Sequence, residues 1–320
     1  MAGETHQAGA SWTPPNLRGL VAIAAGASRG AGRGLALALG DTGATVYVTG
    51  RTIRGGPKPF DAAPGTIEDT AEEVTRRGGH GIAVRVDHSV EADVAALFDR
   101  VQREQGRLDI LANGVWGSSQ QSYDQFFQKE HRPFWELSSV GWQEAMVAGA
   151  YAHLLASQHA ARLMAPHRKG LIVSVTEPNE EGGGSLFWLF HTTGHRCISR
   201  MAAAMRSDLE KHNIAIVALA PGFMRTERVL MGLEKLSEEA REKMKRTYRF
   251  DKSESTEYVG RAVAALAADP DALRFSGKLL HVGDLARHYG FRDTDGSQPH
   301  FFQEVLKKMF HNKAAGRKKK

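Results

Sequence analysis

The 320-residue sequence predicts an α/β protein, a single domain built on a doubly wound, mostly parallel sheet of seven strands. Two observations carry this. Seven short runs of aliphatic and β-branched residues recur along the chain, and longer segments whose apolar residues repeat near the 3.6-residue helical period lie between them. Strand and helix in alternation require right-handed crossovers between parallel strands, which places helices on both faces of the sheet.

Taken in order, "LVAIAA" (20–25) is the first strand, and the glycine-rich "AAGASRGAGRGLALALG" behind it is a turn that opens a helix. "ATVYVT" (44–49) is the second strand. "TIRGGPKPFDAAPG" (52–65) is rich in Gly and Pro and reads as a surface insertion before the helix of "TIEDTAEEVTRR". "GIAVRV" (81–86), the helix "EADVAALFDRVQREQ" and "LDILAN" (108–113) follow. The aromatic-rich segment 114–138 comes after a strand's carboxyl end, where ligands sit in such sheets. Residues 139–165 form a long apolar-striped helix, "GLIVSV" (170–175) the fifth strand and "IAIVALA" (214–220) the sixth. The charged helical stretch 223–250 is placed as a lid is, and "TEYVGRAVAALAAD" leads to the last strand, "GKLLHV" (277–282). The expected organisation is a flexible arm over 1–17, one domain over 18–290 that includes the lid, and a C-terminal extension over 291–320 with a basic tail.

Composition is near the globular mean, at 42 % hydrophobic and 24 % charged, with no apolar run long enough to span a bilayer. The first sixteen residues lack the charged start and apolar core of a secretory signal. Cys197 is the only cysteine, so no disulfide forms within the chain and the expected home is the cytoplasm. Of the formal charge of +6, Arg317, Lys318, Lys319 and Lys320 supply +4. A terminal charge run without interleaved aromatics argues against nucleic acid or a membrane as partner.

The turn after the first strand carries the most specific chemistry. Gly26 permits a tight turn, and Gly30 and Gly32, with Ser28 and Arg29 between, let a helix N-terminus approach a pyrophosphate. The flanking strand and helix make this a Rossmann-type dinucleotide motif. After the second strand an acidic residue would read a free ribose 2′-hydroxyl, but this chain has Arg51, with Arg29 and Arg33 in the first turn. Guanidinium groups suit a 2′-phosphate, which points to NADP(H).

The motifs "GASRGAG", "VRVDH", "ILANGVWG" and "LAPGFMRTE" resemble those of the short-chain dehydrogenase/reductase family from Leu20 to Val282. "GTIEDTAEEV" and "DLARHYGFRDTDGSQP" resemble the branch of its member-1-type dehydrogenase/reductases. The resemblance implies that Asp87, followed by His88, holds the adenine amine, that Asn113 and Gly114 line the adenine ribose, and that Pro221, Gly222 and Thr226 bracket the nicotinamide and pyrophosphate. On the residues alone, Asp87 also suits a helix cap and Asn113 a turn.

The family's reaction uses a tyrosine, a lysine four residues later, a serine after the fifth strand and a helical asparagine. By the resemblance, these positions fall on His191, His195, Thr176 or Glu177, and Gly149, with His153 one turn beyond. Three readings follow. His191 replaces the phenol as proton donor, since imidazole titrates near neutrality without help from a lysine, and Glu177 orients it. Alternatively, the chain binds its cofactor without turnover, as a sensor or a silent oligomer partner. The i, i+4 histidines with Glu177 or His153 also have metal-site spacing, although no metal is expected. The aromatics Trp116, Tyr123, Phe126, Phe127, Phe134 and Trp135 suit either an apolar substrate pocket or packing, and Tyr123 or Tyr151 offers another phenol. The resemblance also implies pairing of the 139–165 helix with its copy across a two-fold axis, so a homodimer or homotetramer is expected; the small residues Ala148, Gly149, Ala150, Ala152 and Ala156 would allow that close approach and equally suit internal packing.

Overall fold

The computed structural model describes residues 12–117, 126, 133–178 and 189–306. Its strands are β1 (Val21–Ala25), β2 (Thr45–Gly50), β3 (His80–Arg85), β4 (Ile110–Asn113), β5 (Gly170–Val175), β6 (Ile214–Ala220) and β7 (Leu279–His281). They pair in parallel in the order β3-β2-β1-β4-β5-β6-β7. The order reverses between β1 and β4, so the chain leaves these two neighbours toward opposite faces and a crevice opens at their carboxyl ends.

Burial explains the continuous apolar runs. Every residue of β1, β4 and β6 is buried, as in sheets covered on both faces. Ala22 and Ala24 of β1 join one core layer, and Val21, Ile23 and Ala25 join the other. The first layer is covered by α1 (Gly30–Asp41), α2 (Ile67–Arg76), α8 (Thr256–Ala268) and α9 (Val282–Tyr289), and the second by α3 (Glu91–Gln105), α4 (Ala152–Met164) and α5 (Leu189–Leu209). The lid stretch folds into α6 (Glu227–Glu234) and α7 (Glu238–Thr247), capped by the hydroxyls of Thr226 and Ser237. α1 and α8 touch backbone to backbone, because a Cβ on Gly34 would lie 1.7 Å from the Thr256 carbonyl oxygen. That contact fixes where α1 points its N-terminus.

The helix expected over 139–165 differs from a regular α-helix. Val140–Trp142 runs without a break into a π-helical stretch, Gln143–Tyr151, which then continues as α4. The widened turns lie against the loop after β4, where Gly117 packs on Glu144 and Ala148, and Trp116 packs on Gly149. The small residues of this helix therefore serve internal packing: Gly149, Ala150, Ala152 and Ala156 are buried within the chain itself. They do not form an exposed small-residue face for a second copy. No helix among the described residues is long and apolar enough to cross a membrane.

The 223–250 stretch and the C-terminal segment meet through aromatic contacts. Phe223 has Tyr248 stacked at 5.1 Å, Phe250 at 5.2 Å, Phe126 at 6.2 Å and Phe301 at 6.3 Å between ring centroids. Val305 and Leu306 bury themselves beside Phe301, so the extension, as far as Leu306, packs on the domain.

Candidate active site

The loops at the carboxyl edge border a cavity of about 780 Å³, lined by His191, His195, Thr176 and Glu177 together with the predicted cofactor residues other than Gly32 and Asn113. Gly26 has φ +72°, and a Cβ there would meet Val115 at 3.0 Å. A Cβ on Gly32 would fall 2.2 Å from the Gly26 carbonyl oxygen, so this turn closes only without side chains. α1 then begins at Gly30 with no side-chain cap from Arg29. Ser28, His88, Gly114, Pro221, Gly222 and Thr226 line the cavity as expected, while Asn113 is buried and is not among its lining residues. The Asn113 Oδ1 accepts the Val115 N–H at 3.1 Å, and its Nδ2 has no hydrogen-bond partner among the described residues.

Asp87 also lines the cavity and caps no helix: α3 starts behind Val90 without a side-chain cap. Its Oδ1 instead accepts the Ser89 N–H at 3.0 Å and hydroxyl at 2.6 Å, and its Oδ2 lies 3.6 Å from Arg51 Nη1. Burial alone would raise this carboxyl, but the Ser89 hydrogen bonds and the Arg51 charge hold it below the usual carboxylate range.

Three guanidinium groups gather at the other end. Arg51 is 60 % exposed at the rim. Arg29 is turned toward the insertion, donating from Nε to the Pro64 carbonyl at 3.0 Å and from Nη2 to the Gly65 carbonyl at 2.9 Å. Burial and the nearby Arg228 lower its pKa. Arg228, from α6, pairs with the buried Asp61 and lies over the Phe60 ring at 5.1 Å. Arg33 does not line the cavity. The sequence reading missed Arg228 and its neighbour Glu227, whose carboxylate accepts the Gly30 N–H at 2.7 Å. It also missed Glu254, a buried carboxyl that accepts the Gly222 N–H at 2.8 Å and is pushed up to about 8, chiefly by burial.

At the chemical end, the Trp116 ring stacks on His195 at 3.8 Å and 8°, and meets His191 edge-on at 5.0 Å. The indole is pinched between two glycines, since a Cβ on either Gly149 or Gly194 would come within 2.9 Å of it. Gly149 and His195, two of the departures from the family pattern, thus belong to one packing arrangement built around Trp116. The Thr176 hydroxyl donates to the His195 carbonyl at 2.9 Å, and Glu177 lies 3.4 Å from the His191 Nδ1.

Burial, with His191 and His153 nearby, holds the His195 ring well below its ordinary pKa. His153 is buried with its Nε2–H on the Val115 carbonyl at 3.0 Å and is pushed down to about 4. His88, buried against the Thr49 hydroxyl at 2.8 Å, is likewise pushed down to about 4 by burial and by His153. These three rings are neutral at pH 7.

The loop aromatics part company. Trp116 lines the cavity, Phe126 packs on Phe223, and Phe134 and Trp135 are exposed and do not line it. Tyr151 is exposed and off the cavity, so it is no substitute phenol, while Tyr123 and Phe127 lie outside the described residues. Among the described residues, no group of three or more His, Cys, Asp or Glu converges as around a metal ion.

Comparison with known proteins gives the family and the fold. Residues 20–235 match the family described as short chain dehydrogenase. The chain is 39 % identical over 284 residues to mouse dehydrogenase/reductase SDR family member 1, covering 88 % of this chain and 85 % of that one. Among solved structures, a short chain dehydrogenase from Mycobacterium thermoresistibile superposes with a TM-score of 0.71 at 19 % identity, over 89 % of this chain and 95 % of the other. An NADPH-dependent reductase involved in bacilysin biosynthesis superposes with a TM-score of 0.64 at 22 % identity, over 82 % and 96 %.

Two predictions follow from the packing and the charges. Gly149→Asn forces atoms into the indole, so it should destabilise the fold by roughly 1–3 kcal/mol in urea unfolding. Trp116→Ala in the same chain should remove most of that extra cost, and strictly additive losses would contradict the wedge. The second concerns acid. The unfolded chain binds protons on His88 and His153 near pH 6.5 and the folded chain only near 4, so their contribution is present above about 6.5 and lost as pH falls toward 4. His153→Gln keeps a donor for Val115 without titrating there, and should flatten the fall in unfolding free energy between pH 7 and 4.5 by on the order of 2 kcal/mol. An unchanged slope would contradict a neutral buried His153.

Proposed function

The chain belongs to the short chain dehydrogenase family, and from that premise we infer that it is an NADP(H)-dependent oxidoreductase acting on a neutral, apolar carbonyl/alcohol pair, with His191 as the proton donor. The observation that carries this reading is His191 set 3.4 Å from Glu177 in the cavity that also holds the glycine-rich turn, while its neighbour His195 is held neutral.

The residues present suit the cofactor. The side-chain-free turn at Gly26 and Gly32 leaves room for a close approach, and a carboxylate already sits on the Gly30 N–H as a pyrophosphate would. Arg29, Arg51, Lys58 and Arg228 line the cavity, with Arg51 after β2 where a reader of a free 2′-hydroxyl is acidic. NADPH held by these residues would supply a hydride for a carbonyl carbon. His191 gives the proton that the carbonyl oxygen takes, and Glu177, 3.4 Å from its Nδ1, orients the ring. Trp116, Phe223, Met224, Phe301 and Leu306 offer the substrate an apolar wall.

With a neutral ketone or aldehyde found by screening, His191→Ala should lower kcat for reduction by about 10²–10⁴-fold and leave the NADPH Kd nearly unchanged. A variant that keeps the parent rate would end the histidine-acid reading.

A further inference from the structure

The Gly30 N–H belongs to the first residue of α1 and faces the cavity, in the turn that the proposed function assigns to the cofactor's pyrophosphate. In this structure the chain supplies its own anion there. Glu227 is the first residue of α6, directly behind its Thr226 cap, and its Oε2 accepts that N–H at 2.7 Å. The carboxylate is close enough to add to the charge balance of Arg29. A pyrophosphate oxygen and a carboxylate oxygen cannot both take one N–H at this distance, and two anions at one helix end repel.

We propose that Glu227 is an internal competitor for the pyrophosphate seat, so that this one side chain sets cofactor affinity and its departure accompanies cofactor entry. The inference rests on the cofactor reading above. Its next residue, Arg228, ties α6 to the insertion through Asp61, and the first turn of α6 therefore bridges the glycine-rich turn and the 52–65 loop. When the carboxylate leaves Gly30, the same turn of α6 keeps its hold on the insertion, and the Arg228 guanidinium stays beside Arg29 at the cationic end.

The competition also explains a feature that the glycine motif alone does not. α1 opens with no side-chain cap from Arg29, which leaves its first donors to outside acceptors. Glu227 satisfies one of them from 197 residues away.

Isothermal titration of the full chain with NADPH, and separately with inorganic pyrophosphate, tests this in the parent, Glu227→Gln and Glu227→Ala. Glu227→Ala should bind both probes roughly 10- to 150-fold more tightly, the worth of one charge-assisted hydrogen bond that no longer has to be broken, and Glu227→Gln, whose amide oxygen still accepts from Gly30 but carries no charge, should gain a smaller part of that. Urea unfolding without ligand checks that the variants fold. Equal or weaker binding of both probes by folded variants overturns the competition. If no protein binds a nicotinamide cofactor but the variants still gain on pyrophosphate, the cofactor reading fails and the competition stands.

Discussion

The chemical half of the cavity depends on one contact, the Trp116 indole laid flat on His195. An aromatic stack is worth about 0.5–1.5 kcal/mol beyond the area it buries, and here it also dictates what its neighbours can be. The ring needs bare backbone on either side, which Gly149 and Gly194 provide from two different helical elements. It covers His195, and burial then keeps that imidazole neutral. His191 is left at the cavity with a carboxylate 3.4 Å away. A neutral His195 places no second charge beside the ring that the proposed function assigns as proton donor.

The cavity is electrically divided. Cations gather at the end bounded by β2 and the insertion, with Asp87 beside Arg51 and Glu227 near Arg29, and Glu177 stands beside His191. α6, the helix after β6, takes part in this arrangement. Its first turn contributes one residue of each sign, Glu227 to the glycine-rich turn and Arg228 to the insertion. Behind it, Glu254 holds the Gly222 N–H and fixes the path of the chain as it leaves β6. Trp116 walls the histidines, and elsewhere in the lining Phe223 packs with Phe301 of the C-terminal segment.

Much of the fold was legible because its signals are local. The buried parallel strands appear as apolar runs, and their ends were placed within two residues or so of where they lie, as with "GKLLHV" against Leu279–His281. The glycine turn, Asp87, Thr176, Glu177 and the two histidines were legible as members of one cavity, because each follows a strand's carboxyl end or sits on the helix that faces it. What was not legible depends on contacts between distant residues. Arg29 gives two donors to carbonyls 35 and 36 residues away, and no pattern around it announces that. Gly149 reads in sequence as a missing asparagine; only the position of Trp116 reveals it as space for a ring. The π-helical winding of Gln143–Tyr151 also escaped, since its apolar stripe suits an ordinary helix equally well. A sequence signal for Glu227 existed in principle, an acidic residue opening a helix just after the sixth strand, but acidic first turns are common on every surface helix.

The most direct test of the central claim is the fate of the hydride. NADPH and NADH, each deuterated at the transferable C4 position, are incubated separately with the full chain and a panel of neutral apolar ketones and aldehydes, and the alcohols are analysed by mass spectrometry. The account predicts deuterium on the carbinol carbon of at least one product, transferred from NADPH in preference to NADH. Binding of NADPH with no label transferred to any carbonyl would contradict it, and would make the chain a cofactor-binding relative without turnover.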